Sequence, residues 1–176
     1  MLRVFLVLYL IVFQSFAQDY SQFDESLKGI ESDFFGTHSK DWANFSENFR
    51  STIEVFENQA KQSLRILNQG GGLVKHEQLL ELRDELNWRL KEGRCQQGEI
   101  KALFQLYLNE IWKNCFPNEE TYTCVKRLHR ESGKQYNFEG RYLRIKNATE
   151  TIDFIIRLRK TNLENLMLKY KNPLRL

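Results

Sequence analysis

The chain has 176 residues, 28% charged and 41% hydrophobic, with a formal net charge of +3 and a mean hydropathy of −0.54. That length suits one domain with a buried core, and the composition excludes collagen-like, low-complexity and multi-span membrane chains. The charge is unevenly placed, because residues 18–125 carry 12 Lys or Arg against 18 Asp or Glu whereas residues 126–176 carry 13 against 5.

Residues 1–17 hold one cation, Arg3, an apolar run from Val4 to Phe13, and Ser15-Phe16-Ala17 ahead of polar sequence. They read as a secretory signal peptide cleaved after Ala17, which leaves residues 18–176 as a single secreted α-helical domain. Gln14 interrupts the run short of the about 20 apolar residues a membrane span needs, so stable membrane insertion is not expected. An extracellular chain is also a poor candidate for nucleic acid.

Helical periodicity then runs almost without a break. Phe23, Leu27, Ile30 and Phe34 form a first amphipathic segment, for which Gly36 is the expected end. Ser39 is the expected N-cap of a much longer second helix carrying Trp42, Phe45, Phe49, Phe56, Ala60 and Leu67 on one face, stopped by Gly70, Gly71 and Gly72. Leu79, Leu82, Leu86 and Leu90 make a third, with Glu85 and Arg89 paired four apart and Gly93 as its close. The fourth carries Ile100, Leu103, Phe104, Tyr107, Ile111 and Cys115, and Pro117 forbids its continuation.

A short helix capped by Asn118 follows, with Glu119 and Glu120 suited to the positive end of its dipole and Gly133 ending it. From Tyr142 the residues Ile145, Ile152, Ile156, Leu163, Leu166 and Tyr170 support a long last helix, up to an Asn172-Pro173 stop. The pattern predicts an all-α fold, a single bundle of about five to six helices, two of them long.

Three cysteines occur, Cys95, Cys115 and Cys124. A helix from 97 to 115 would hold Cys95 and Cys115 about 30 Å apart, far beyond the reach of a disulfide. The Phe116-Pro117-Asn118 break folds Cys124 back beside Cys115, so the expected bond is Cys115 to Cys124. Cys95 is left as a buried thiol or as a bridge to another molecule, including a second copy of the chain.

Asn44-Phe45-Ser46 and Asn147-Ala148-Thr149 fit the N-glycosylation sequon, at Asn44 and Asn147. The three histidines are too scattered for a zinc site, no nucleophile elbow occurs, and Gly70-Gly71-Gly72 lacks the Lys-Ser or Lys-Thr of a phosphate loop. No catalytic constellation or cofactor site is expected. The aromatics of the amino-terminal third suit a bundle interior, and the alternative is a lipid or other apolar ligand held between helices. The basic carboxyl-terminal part suits either internal complementarity with the acidic part or a surface for acidic glycans, anionic lipid or an acidic receptor.

The run Leu103-Phe104-Gln105-Leu106-Tyr107-Leu108-Asn109-Glu110-Ile111-Trp112-Lys113-Asn114, then Tyr122-Thr123 and Lys126, resembles the central helix of class II helical cytokines, the interleukin and interferon superfamily. Thr151-Ile152-Asp153-Phe154-Ile155-Ile156 is similar to the start of their last helix. The resemblance implies a secreted ligand that binds cell-surface receptors through exposed helix faces, and it carries over no contact residue. The expected activity is extracellular protein binding without catalysis, with Arg141, Arg144, Arg157, Arg159 and Lys160 as the candidate basic face for an acidic partner. The alternative is an extracellular carrier of a hydrophobic small molecule.

Overall fold

A computed structural model describes residues 20–70, 76–171 and 174, apart from the side chains of residues 37–41 and 43. The expected signal peptide, Gly71, Gly72 and the Asn172-Pro173 stop lie outside what is described, whereas the expected cap at Ser39 is corrected: residue 39 lies inside a helix that begins at Ser21. The fold is all-α: α1 is Ser21–Asn68, α2 His76–Trp112, α3 Thr121–Glu131 and α4 Phe138–Lys169. Among the described residues no helix is long and apolar enough to cross a membrane.

Two breaks expected at glycines do not occur. α1 runs 48 residues, about 72 Å at 1.5 Å per residue, straight through Gly36. Phe34 and Phe45 are both buried and stand eleven residues apart, close to three full turns, so the apolar stripe keeps its phase across the glycine. α2 likewise runs 37 residues through Gly93, which occupies a buried seam position between Leu86, Leu90 and Ile100. A Cβ at Gly93 would lie 2.5 Å from Phe45 Cζ and 2.9 Å from Ile156 Cδ1, so this glycine lets three helices close rather than ending one.

The directions of the long helices follow from who meets whom. Phe138, opening α4, sits 5.0 Å from Phe23 near the start of α1, and Tyr170, just past α4, sits 6.2 Å from Phe56, so α1 and α4 are parallel. Tyr107 late in α2 reaches Glu31 early in α1, which makes α2 antiparallel to both. α3 folds back across one end. Two buried clusters fill the bundle, one around Phe23, Leu27, Ile100, Tyr107 and Ile145, the other around Phe49, Phe56, Leu86 and Leu163. Trp42 packs against both. Phe49 and Phe56 are fully buried, each stabilising the fold by about 1.5–3 kcal/mol through burial alone.

Local chemistry sets the turns. Glu120, not Asn118, caps α3, its side chain accepting from the Thr123 N–H at 3.1 Å. Asn118 instead takes the left-handed conformation, φ 65°, that lets the chain reverse after Pro117. Gly133 ends α3 with φ 63°, as expected. α4 starts four residues before Tyr142, because the Asn137 side chain accepts from the Gly140 N–H at 3.1 Å.

Candidate functional site

Cys115 and Cys124 are disulfide-bonded with Cα atoms 5.5 Å apart, closing the reversal between α2 and α3. Beside the bond, Arg127 donates to Glu119 Oε2 at 2.8 Å and to the Asn114 carbonyl at 2.9 Å, and stacks 4.0 Å from the Phe116 ring. Glu119 and the two sulfurs lie within 4.8 Å of one another, but bonded sulfurs offer no thiolate for a metal.

The Arg127 hydrogen bond and the Phe116 N–H hold the Glu119 carboxyl below the usual carboxylate range, so its contribution is complete above about pH 4.3 and is lost as pH falls through the lower folded value. The Phe116 amide proton resonance is expected to move with a midpoint below pH ~4.3 in an NMR titration; a midpoint at or above that value contradicts the clamp.

The candidate basic face does not assemble as one surface. Arg141 turns inward: its guanidinium pairs with Asp24 and, at 2.9 Å, with Glu31, and the Asp24 and Glu31 side chains are only 4% and 15% exposed. Tyr107 joins them, donating to Glu31 Oε1 at 3.3 Å, and burial pushes its phenol far above the ordinary value. Arg159 is also engaged within the fold. Its Nη2 donates to the Ser46 hydroxyl at 3.0 Å and to the Ser46 carbonyl at 3.2 Å, and desolvation lowers its pKa. Of the five cations, Arg141 thus answers carboxylates of the acidic half from inside and Arg159 is held by Ser46, while Arg144, Arg157 and Lys160 stay exposed. Lys160 makes a surface pair with Glu164 at 3.5 Å, a contact that contributes little.

Asn44 and Asn147 are both exposed, whereas the sequon hydroxyls are occupied: Ser46 accepts from Arg159, and the buried Thr149 donates to the Ile145 carbonyl at 2.9 Å. Cys95 is exposed, which corrects the buried-thiol alternative: α2 carries the helix past Gly93 without a break and leaves residue 95 on its outer side.

The packing adds two features, an apolar patch beside Arg157 and a cleft among the amino-terminal aromatics. The outer face of α4 carries Phe154 at 59%, Leu158 at 40% and Leu168 at 72% exposure, beside exposed Arg157. Spacings of four and three put Phe154, Arg157 and Leu158 within one turn, on the side opposite Ile152 and Ile156. The pattern was legible as apolar positions falling off the buried stripe. The second feature is a cleft of about 270 Å³ between α1, α2 and α4, bounded by Phe34, Phe35, Trp42, Ile100, Ile152 and Ile155. It opens where one buried cluster gives way to the other. Trp42 Nε1 is buried there without a hydrogen-bond partner, a group whose desolvation costs about 1–3 kcal/mol.

No protein-family model matches the chain, and neither a curated protein nor a solved structure matches it.

Proposed function

We propose that this is a secreted, non-catalytic helical-bundle protein that acts outside the cell by binding another protein, in the manner of a cytokine-like signalling ligand. The observation that carries the reading is the outer face of α4, where Phe154 and Leu158 stand exposed beside Arg157 on a rigid helix of 32 residues. Large apolar side chains next to an arginine are the composition that binding hot spots favour, and an apolar cluster left in water on a folded helix marks an interaction surface. The exposed Asn147 lies two turns before Phe154, so a glycan there would border the face without covering its centre. The leader-like first 17 residues and the two sequons support an extracellular setting.

The test uses chain exported by cultured cells and labelled for surface binding. Saturable binding to responsive cells, competed by unlabelled protein, is expected; Phe154→Ala with Arg157→Glu should weaken it at least tenfold, while Arg83→Glu on α2 leaves it unchanged. Equal competition by the two variants and the parent sinks the α4 face. Retention of the chain inside the cell with Met1 attached sinks the secreted reading.

A further inference from the structure

The inference stands apart from the receptor-binding reading, since it concerns the bundle's interior. We infer that the cleft between α1, α2 and α4 is a ligand site for a small amphipathic carboxylate of the fatty-acid class, its apolar body held by Phe34, Trp42, Ile100 and Ile152 and its carboxylate by Arg144.

The volume, about 270 Å³, lies just under the roughly 300–1,000 Å³ common for small-molecule sites and is too small for a protein segment. Apart from Thr151, its walls among the described residues are aromatic and aliphatic, which selects an apolar occupant over a sugar or nucleotide. It falls at the joint between two clusters, both of which Trp42 packs against. Interiors are otherwise close-packed.

The polar end is what specifies a carboxylate. Arg144 is exposed, its guanidinium 4.0 Å from the Phe35 ring that walls the cleft. One helical turn separates it from Ala148, which also lines the cleft, so the cation stands at the rim on the same side of α4. Arg141, one turn earlier, is held by Asp24 and Glu31, whereas no carboxylate among the described residues pairs with Arg144. A planar fork beside an apolar mouth suits a carboxylate whose chain continues inward. The Thr151 hydroxyl is committed to the Asn147 carbonyl at 2.8 Å, and the orphaned Trp42 N–H is a donor, so nothing among the described residues at the cleft calls for a cationic ligand.

Decanoate is the probe, titrated by calorimetry into the full mature chain below the concentration at which it forms micelles. One saturable site per chain is expected, with decanol and decane binding at least tenfold more weakly. Arg144→Gln, an exposed substitution that leaves the core intact, should cost decanoate tenfold or more and leave decanol unchanged. Ala148→Phe, which fills the cleft, should abolish the site while circular dichroism stays helical. Methyl resonances of Ile152 and Ile155 should shift on binding. The inference is overturned by absence of a saturable site, by many weak sites per chain, or by Arg144→Gln binding decanoate as well as the parent does. Failure here leaves the α4 face untouched, because none of these variants alters Phe154, Arg157 or Leu158.

Discussion

Replacing Arg141 by alanine is expected to lower the stability of the folded chain by about 3–5 kcal/mol, measured by urea unfolding followed at 222 nm. The size follows from what is left behind. Asp24, 4% exposed, loses its buried counterion and keeps the exposed Lys28 at 2.5 Å, while Glu31 loses its cation and keeps the Tyr107 hydroxyl as a donor. Glu31, without its cation in such a site, must bind a proton or draw in water, and either disrupts the meeting of α1, α2 and α4. Arg141→Lys keeps the charge but cannot reach two carboxylates with a rigid fork, so it should recover only part of the loss. The triple change Asp24→Asn, Glu31→Gln, Arg141→Met should recover most of it, because it leaves no buried charge to neutralise and releases only the exposed Lys28 to solvent. A single Arg141→Ala variant within 1 kcal/mol of the parent would contradict this account.

The same cluster shows how far charge can be read from sequence. The split into an acidic part and a basic part was plain, and complementarity between them was one of two readings left open. Which cations turn inward depends on register: Asp24 and Glu31 stand seven apart beside the Phe23, Leu27 and Phe34 stripe, and only the parallel pairing of α1 with α4 brings Arg141 opposite both. Sequence spacing contains no such information. The disulfide was legible because it is local, fixed by the Phe116-Pro117-Asn118 reversal. The helical class was legible because the 3.6-residue period persists along most of the chain. The cleft was not, since the same aromatics that fill a core also wall a void, and the difference lies in the gap between two clusters rather than in any residue type. Gly36 and Gly93 read as stops by residue type alone, whereas the apolar stripe continues on either side of each and the helices run through.

Those two glycines make the second large effect. Gly93→Val is expected to destabilise the bundle by about 3 kcal/mol in the same urea assay. A new Cβ alone would sit 2.5 Å from a Phe45 ring atom, and valine adds two further methyl groups to a seam that already holds Ile156. Phe45 is 6% exposed and lies between the Trp42 and Phe49 rings, tilted against them at 5.0 and 5.8 Å, so its room to swing is small. Relief has to come from moving α2 away from α1 and α4, which loosens contacts on both sides of the seam. Gly36→Ala runs the other way. A Cβ there meets nothing within 4 Å, and the residue lies exposed inside a helix, so alanine should stabilise by about 0.5–1 kcal/mol through helix propensity. Opposite signs from two helical glycines in one chain separate close approach from propensity as the reason each is tolerated. If Gly93→Val were neutral, or if Gly36→Ala were the more damaging of the two, α2 would not pass Phe45 at the distance described, and the continuous paths of α1 and α2 would both be in error.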